Sequence, residues 1–472
     1  MSRPSIAIVW FRRDLRVHDH PGLHHALERY DHVLPLFVVD DGILRGRWQS
    51  ANRRWFLVGA LASLDAELRK RDSALTVVRG DPRTLVPDLA GEIGAGAIVA
   101  SRDYTPYGRS RDAAVERRAA AAGISWEAGR GVLAHEPEEV QRAGGGAYAV
   151  FAPFHRQWQS LPLRAVLPAP ARIATVTPVP SAVAAAGAAE LIGDTAPSAD
   201  PALLLEPTES AARGRLDAWA GSASLREYAT GRDRLDVGGT SRLSQDLRWG
   251  LLSPVEVLER CSGRGRGPER FRSEIAWRDF YAHLLWHEPR VGRESFRREL
   301  DDVAWSTDAV AIQAWKDGRT GYPVVDAAMR QLRASGWMHN RARMIVASFL
   351  TKHLGVDWRV GEAHFMEHLV DGDPASNNGG WQWAASTGTD PQPYFRIFNP
   401  TLQGKRHDPD GTYVRRWVPE LASVPGLEGE AVHAPPSGSY VGPIVDHPEA
   451  RARALAAFEA RRVRPGRTPA SP

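Results

Sequence analysis

Residues Ser5–Phe11, SIAIVWF, decide the fold of the first third of the chain. A short apolar run with β-branched residues, followed by charged residues, is typical of a strand buried on both faces. Similar runs recur downstream, separated by helical patterns, and this alternation predicts a doubly wound, Rossmann-like parallel sheet over residues 1–131. The predicted strands are Ser5–Phe11, Val33–Asp40, Ala74–Arg79, Ala97–Ala100 and Ile124–Glu127, and the predicted helices are Gly22–Tyr30, Asn52–Arg71, Thr84–Ile93 and Arg109–Ala122.

The rest of the chain has a different pattern. Residues 132–204 are rich in Gly, Pro and Ala and are interpreted as a connector between domains. Strand patterns almost vanish after it, so residues 205–472 are predicted to form an all-α domain with a frayed end at 461–472. Its predicted helices are 208–220, 254–262, 268–288, 308–317, 323–335, 338–354 and 358–370.

The composition excludes several classes of protein. With 43% hydrophobic and 25% charged residues among 472, the chain is neither disordered nor collagen-like. No apolar run reaches the roughly 20 residues that span a bilayer, and the charged start argues against a secretory leader, so we expect a cytoplasmic protein without membrane contact. A single cysteine, Cys261, excludes a disulfide framework. The excess of arginine over lysine fits codon bias or phosphate recognition, and composition does not choose between them.

Two segments have residue types suited to binding nucleotides or bases. Gly239–Ser244 offers three hydroxyls near a helix start, which suits a phosphate but also a simple capping turn. Glu274, Trp277, Arg278 and Tyr281 share one helix face. That face is either ordinary amphipathic surface, with a Glu274–Arg278 pair, or a platform for an unstacked base.

Three further segments are open to two interpretations. Asp371–Asp373 is either a polar helix stop or a carboxylate partner for Arg343 near a polar cofactor. Asn377–Trp383 places two tryptophans beside a predicted tight Gly turn, with core packing as the other interpretation. His364–His368 matches H-x-x-E-H, but the sequence identifies no third ligand, so no metal is predicted.

Five motifs together resemble the photolyase/cryptochrome family, and within it the class I cyclobutane pyrimidine dimer photolyases. The resemblance covers nearly the whole chain and is most specific in its last motif. The motifs are Trp10–Arg16, Thr240–Ser244, Thr320–Arg330, Trp337–Trp358 and Asp371–Pro400.

The resemblance implies a folded FAD in the helical domain, active as FADH−. Excited reduced flavin of this family donates an electron to a pyrimidine dimer in DNA, the cyclobutane ring splits, and the electron returns. Asn377 would face the reactive flavin nitrogen, and Arg343 would pair with Asp371. The implied FAD contacts are Tyr228, Thr240, Ser241, Arg242, Leu243, Ser244, Arg343, Asp371, Gly372, Asp373 and Asn377.

Members of this family flip the dimer out of the helix into a pocket. Glu274 would hold a dimer carbonyl as the protonated acid. By the same resemblance the catalytic residues are Glu274, Trp277, Asn340, Met344, Asn377 and Trp383. The DNA contacts are Arg232, Glu274, Trp277, Arg278, Tyr281, Asn340, Arg341, Arg343, Trp383 and Gln403. Trp381, Trp358 and Trp305 match the family's tryptophan chain for light-driven flavin reduction.

A second, light-harvesting chromophore is implied for the α/β domain. Folate-binding members have Asn-Glu where this chain has Tyr107-Gly108. The local sequence is closer to members that bind 8-hydroxy-5-deazaflavin, and an empty site is the other alternative. The implied contacts are Asp40, Arg53, Arg54 and Asp103.

Two other functions occur in the family: a cryptochrome photoreceptor and repair of the (6-4) photoproduct. Trp277 and the short C-terminal region argue against the receptor. Met344, in place of a pocket histidine, argues against the (6-4) enzyme. We therefore expect repair of cyclobutane dimers by a monomer without an obligate protein partner.

Overall fold

The computed structural model describes residues 5–142, 144–176, 187–301, 303–391, 393 and 395–462. Its only sheet in this part of the chain has five parallel strands in the order β3-β2-β1-β4-β5. Val9 is paired with Pro35 on one side and Val99 on the other, so β1 lies at the centre. The strands are β1 Ile6–Phe11, β2 His32–Asp40, β3 Thr76–Gly80, β4 Ala97–Ser101 and β5 Ser125–Gly129.

Helices connect the strands and continue after the sheet. Polar side chains cap several of them, as Ser50 and Thr105 do for α3 and α5 by accepting a backbone N–H of the first turn. The helices up to residue 287 are α1 Pro21–Arg29, α2 Asp41–Leu44, α3 Ala51–Arg69, α4 Pro82–Glu92, α5 Pro106–Ala121, α6 Phe151–Ser160, α7 Ala188–Ile192, α8 Glu209–Ala220, α9 Ala223–Arg226, α10 Tyr228–Gly231, α11 Ser244–Trp249, α12 Pro254–Arg260 and α13 Arg266–His287.

The predicted α/β fold is confirmed, and its strands begin and end within two residues of the predicted limits. The packing differs from the predicted division at 131. One buried cluster combines Val9 and Phe37 of the sheet with Phe271 and Phe280 of α13. A first compact unit therefore contains Met1–Gly231, Gly239–Pro289 and Met366–Ser376. The predicted domain limits stay a prediction.

A second compact unit contains Arg232–Gly238, Arg290–Phe365 and Asn377–Pro472. It is helical, as predicted, and α17 and α18 cross its limits. The remaining helices are α14 Ala309–Asp317, α15 Pro323–Ser335, α16 Asn340–Ser348, α17 Trp358–His368, α18 Pro374–Ala385, α19 Pro400–His407, α20 Thr412–Trp417, α21 Pro419–Ala422 and α22 His447–Arg462.

Two local predictions for the helical region need correction. The predicted helix 338–354 is α16 followed by a π-helical turn, Phe349–His353. The predicted Gly turn at Asn377–Trp383 is wrong, because these residues lie inside α18. Gly380 faces open space, so neither a turn nor a close contact requires glycine there.

Every helix in the described part of the chain is too short or too polar to cross a bilayer. Residues 177–186 of the predicted connector and 463–472 of the predicted frayed end lie outside the described residues.

Candidate active site

One face of α13 carries three of the predicted dimer contacts. Glu274, Trp277 and Tyr281 are spaced by three and four residues, and all three are partly exposed. The Glu274 carboxylate lies 3.5 Å from the guanidinium of Arg270, one turn earlier. This face therefore presents an aromatic ring, an acceptor and a phenol at the surface of the first unit.

Arg278 has a different position from the one predicted for it. Its guanidinium donates to the backbone carbonyls of Val132 at 2.7 Å and Leu247 at 3.3 Å. Asp279 lies 3.6 Å away, and burial lowers the pKa of Arg278 despite that neighbour. The predicted surface pair with Glu274 is thus replaced by contacts inside the first unit, and the predicted DNA contact of Arg278 stays a prediction.

An aromatic stack surrounds Trp277. The ring of Phe151, from α6, lies 3.8 Å from the Trp277 ring, and the two planes differ by 7°. Phe280 meets Trp277 edge-on at 5.5 Å. Sequence reasoning missed Phe151, because 126 residues separate it from Trp277 and no spacing rule connects α6 with α13.

The loop before α11 has the geometry of an anion cradle. Gly239 packs so closely on the carbonyl of Gly231 that a Cβ would overlap it. Arg242 has a left-handed backbone (φ 53°), and the Ser241 hydroxyl accepts the backbone N–H of Leu243 at 3.4 Å. No side-chain hydrogen bond caps the start of α11 at Ser244. These hydroxyls and backbone N–H groups suit phosphate oxygens.

The other predicted FAD residues of the first unit are Tyr228 and Asp371–Asp373. Tyr228 is buried edge-on against the rings of Trp219 and Phe271, at 5.7 and 5.4 Å. Asp371 is 7% exposed. A Cβ on Gly372 would lie 2.8 Å from the guanidinium of Arg53, so the segment has no room for a side chain there.

Asp373 is enclosed by arginines, which the sequence did not indicate. It forms an ion pair with Arg13, and Arg248 donates to the neighbouring carbonyl of Gly372 at 2.9 Å. Burial alone would raise the pKa of Asp373, but the charges of Arg13 and Arg248 hold it well below its usual range. Burial lowers the pKa of Arg248 to about 9. The Asp373 carboxylate is therefore committed to internal pairing.

A small cavity with a mixed polar and apolar lining lies beside this ion pair. It has about 280 Å³ of empty space, part of it open to solvent. Its polar lining consists of Arg13, Tyr104, Thr105, Arg278 and Asp373. All of these residues belong to the first unit.

The four predicted antenna contacts already bind other groups of the chain. Asp40 accepts the Tyr107 hydroxyl at 2.8 Å, and Asp103 accepts from Thr105 at 2.9 Å. Arg53 donates to the carbonyls of Met366 and Leu369, the latter at 3.1 Å. Arg54 donates to the side chain of Gln49 at 3.2 Å. In this arrangement they do not form an open donor set for a chromophore.

Gly108 explains why the folate-type sequence does not fit here. Its Cα packs against the carboxyl group of Asp103, and any Cβ would overlap that group. Asp103 is fixed by Arg111 and Thr105, and its pKa is lowered to about 2: burial opposes this shift, while the charges of Arg111 and Arg13 produce it. A glutamate at position 108 would have to displace it.

The second unit carries a separate group of predicted contacts at the start of α16. Asn340 is exposed and Met344, one turn later, is partly exposed. Arg341 donates to Asp233 at 2.7 Å, and Arg232 lies 3.7 Å from the same carboxylate. Two predicted phosphate contacts are thus held together by one carboxylate, which leaves a net positive charge suited to a DNA backbone.

The other predicted residues of the second unit have varied positions. Arg343 donates to the carbonyl of Met338 at 2.9 Å. Asn377 donates to the carbonyl of Glu362 at 3.1 Å, which fixes the orientation of its amide. Trp383 on α18 and Gln403 on α19 are partly exposed. These contacts neither support nor exclude the roles that the resemblance implies.

The three tryptophans of the predicted electron-transfer chain lie on α17, or in segments that contact α17 or the residues just before it. Trp381 is 2% exposed, and its ring packs against Gly361, where a Cβ would overlap it. Gly361 lies one turn after the fully buried Trp358 on α17. The partly exposed Trp305 precedes Ser306, whose N–H bonds to the Gly355 carbonyl at 2.7 Å, beside the start of α17.

The H-x-x-E-H residues do group on α17. Ligand atoms of His364, Glu367 and His368 lie within 4.8 Å of one another, so Glu367 is a third potential ligand that the sequence did not identify. All three residues make further interactions within the protein, and His364 is buried against the ring of Trp315. We assign no metal here.

Comparisons with known protein families match both parts of the chain. Residues 7–172 match the DNA photolyase family. Residues 271–460 match the FAD binding domain of DNA photolyase. The deoxyribodipyrimidine photo-lyase of Streptomyces griseus is 42% identical over 465 residues, which cover 95% of this chain and 98% of the relative.

Solved photolyase structures agree with this fold. A bacterial class III photolyase from Agrobacterium tumefaciens superimposes with a TM-score of 0.91 at 38% identity, covering 98% of both chains. An archaeal photolyase from Sulfolobus tokodaii with two FAD molecules gives a TM-score of 0.86 at 31% identity, covering 96% of this chain and all of that one. The class I assignment is not confirmed, since the first of these structures belongs to class III.

Proposed function

This chain belongs to the DNA photolyase family, and we propose that it is a light-driven repair enzyme for cyclobutane pyrimidine dimers in DNA. The observation that carries the proposal is the exposed face of α13. It presents the ring of Trp277 beside the Glu274 carboxylate in a chain that matches the FAD-binding family. A flipped base needs an aromatic surface and a hydrogen-bonding group together.

FAD fits the groups that the chain offers. The hydroxyls of Thr240, Ser241 and Ser244 and the uncapped start of α11 suit its phosphates. In the second unit, the buried indole N–H of Trp381 has no hydrogen-bond partner within the described residues. A buried donor without a partner is costly, so it suits a neighbour that the protein itself does not supply. When bound and reduced, FAD supplies the electron that its excited state donates.

The protein's own residues bind and orient the substrate. Trp277 stacks on a base of the flipped dimer, and Glu274, as the protonated acid that the resemblance implies, donates a hydrogen bond to a carbonyl of that base. In the second unit, the residues that contact the dimer are those that the resemblance implies. They are Asn340, Met344 and Trp383. Arg232 and Arg341, held by Asp233, bind backbone phosphates electrostatically, so affinity should fall with salt.

The tryptophan series has a separate role in this proposal. Trp381, Trp358 and Trp305 carry an electron inward from the surface to oxidised flavin. The increase in exposure at Trp305 supports this direction, since the last tryptophan must exchange an electron with solvent reductants. Dimer repair itself does not use this series.

The proposed function does not require a second, light-harvesting chromophore. The chain's groups at Asp40, Asp103 and Arg53 are engaged with one another or with backbone carbonyls. Of the two chromophores, 8-hydroxy-5-deazaflavin agrees better with the local sequence than folate does, because Gly108 leaves no room for the folate-type glutamate. The absorption spectrum of the purified protein distinguishes them, since a deazaflavin adds a band that FAD lacks.

Substrate specificity tests the proposal. Oligonucleotides with one thymine cyclobutane dimer, one (6-4) photoproduct or no lesion are exposed to blue light with the reduced protein. We expect reversal of the dimer alone, and chromatography of the products measures it. Reversal of the (6-4) lesion, or a flavin-bearing protein that reverses neither, would contradict the proposal.

A further inference from the structure

The ring of Trp277 is not simply exposed, since one of its two faces is covered by another aromatic residue. Phe151 lies parallel to it, with 3.8 Å between the ring centroids and 7° between the planes. Phe280 contacts its edge at 83°. Tyr281, one turn after Trp277 on α13, lies tilted beside the ring, at 5.5 Å and 36°. The Trp277 ring remains partly exposed among these contacts, and that exposed part is what a ligand can reach.

Phe151 is itself fixed from behind. His155, one turn later on α6, stacks on Phe151 at 5.1 Å and 14°. Trp158, a further turn along, lies 6.2 Å from His155. Burial, together with the charges of Arg270 and Arg272, lowers the pKa of His155 below its usual value, so it stacks as a neutral ring at neutral pH.

Trp158, at the end of this stack opposite Trp277, is hydrogen-bonded to α13. The indole N–H of Trp158 donates to Asp279 at 3.0 Å, and Asp279 lies two residues after Trp277. The same carboxylate accepts the backbone N–H of Ala134 at 3.0 Å. The order Trp277, Phe151, His155, Trp158, Asp279 therefore begins and ends on α13.

We propose that Phe151 is a positioning residue for dimer recognition: it fixes the plane of Trp277, so that the exposed part of the indole is held in one orientation for the flipped base. This proposal rests on the proposed function. Phe151 acts through Trp277 and does not itself touch the dimer.

The physical basis is preorganisation. A ring that has already lost its rotational freedom loses less entropy when a base stacks on it. Phe151 is 9% exposed and also contacts Phe280, at 5.7 Å, so the Trp277 ring stacks on a residue that the surrounding core holds in place. A leucine of similar volume would fill the space but would not impose a parallel plane.

The test is a dark binding measurement with the flavin-loaded protein. We compare the affinities for oligothymidine with and without a thymine dimer in wild type, Phe151→Leu, Phe151→Ala and Phe151→Tyr. The two nonaromatic variants should lose about 2- to 12-fold in the ratio of dimer to undamaged affinity, the usual worth of one aromatic pair. Phe151→Tyr should retain the wild-type ratio.

Phe154→Leu is the matched control. Phe154 lies on the same helix, is fully buried, and packs on Phe280 and His283. It also touches Phe151, at 6.4 Å and 32°, but it has no contact with Trp277 among those of the described residues. It should lower thermal stability without changing the affinity ratio. A shift in ratio as large as that of Phe151→Leu would mean that general loosening is the cause, and would overturn the proposal.

A double-mutant cycle makes the test specific. In a Trp277→Ala background, Phe151→Leu should have no further effect on the ratio, because Phe151 acts through that ring. An undiminished effect, or an unchanged ratio in Phe151→Leu alone, would overturn the inference while leaving the proposed function intact. A wild-type protein without preference for dimer DNA would overturn both.

Discussion

Trp277 of the first unit and Trp381 of the second are packed in different ways. In the first unit Trp277 lies parallel to Phe151, with 7° between the planes, and remains partly exposed. In the second unit Trp381 is buried and meets Phe365 and Trp315 edge-on, at 77° and 74°. The stacked ring is partly accessible to a base, whereas the ring with edge-on neighbours is 2% exposed. The contrast suggests that one cluster recognises substrate and the other conducts electrons.

Replacement of Trp381 should have the largest effect and should separate the two clusters. Trp381→Phe removes the first member of the series, so light-driven reduction of oxidised flavin should be abolished. Repair by chemically reduced protein should be unchanged, because the dimer contacts are intact. Transient absorption measures the first property and dimer reversal the second.

Trp315→Phe is the control for that experiment. Trp315 is equally buried, 6.0 Å from Trp381, and belongs to the same cluster. It should leave flavin photoreduction in place. If it blocks photoreduction as completely as Trp381→Phe does, the series does not run through Trp358.

Replacement of Trp277 should have the converse effect. Trp277→Ala removes the stacking surface, and binding of dimer DNA should weaken by about 1–3 kcal/mol. Flavin photoreduction should be unchanged. Fluorescence anisotropy of a labelled dimer oligonucleotide measures the loss, and unaltered affinity would remove Trp277 from the recognition site.

Replacement of Gly361 tests the packing of the Trp381 ring against the backbone of α17. In Gly361→Ala the new methyl group would overlap the Trp381 ring, so stability should fall by about 1–3 kcal/mol and photoreduction should slow. Gly380→Ala, on α18 with nothing near its Cβ, should instead leave photoreduction unchanged and gain up to about 1 kcal/mol in helix stability. Urea unfolding and transient absorption of both variants check this, and equal behaviour of the two would contradict the packing.

Buried charge also distinguishes the units. Asp373 of the first unit is surrounded by arginines. Lys352 of the second donates to the neutral Ala385 carbonyl and Ser386 hydroxyl, at 3.0 and 2.8 Å, and its ammonium lies 3.7 Å from the centre of the Phe458 ring. Burial lowers the pKa of Lys352 to about 7. Between about pH 7 and the usual lysine pKa of 10.5, Lys352 is mostly protonated in the unfolded chain and mostly deprotonated in the folded chain.

Stability of the second unit should therefore rise with pH above about 7, by at most about 1.4 kcal/mol per pH unit. Unfolding by urea across pH 7 to 10 checks the slope. Lys352→Met should remove this contribution, and a variant with the wild-type slope would show that Lys352 does not titrate in that range.

Local patterns predicted the fold well. The five strands followed from short apolar runs, because burial on both faces leaves a strong signature. The Gly pair in NNGGWQW was predicted to form a turn but lies inside α18, because a helix tolerates glycines when neighbouring residues supply the packing. Asn340 and Met344 share one helix face, as their spacing requires.

The rest of the candidate site depends on contacts between distant segments. Arg278 looked like a surface arginine from its helix position, yet its partners Val132 and Leu247 lie 146 and 31 residues away. The pairing of Phe151 with Trp277 has the same origin. Neither hydrophobic periodicity nor motif spacing contains information on which helix faces which.

The most direct test of the account is the light dependence of dimer reversal by the purified protein. Oligothymidine containing thymine dimers is incubated with chemically reduced protein, and recovery of thymine ultraviolet absorbance is followed in blue light and in the dark. The account predicts recovery in blue light only, with the flavin spectrum present throughout. Recovery in the dark, or none in the light from protein that contains reduced flavin, would contradict it.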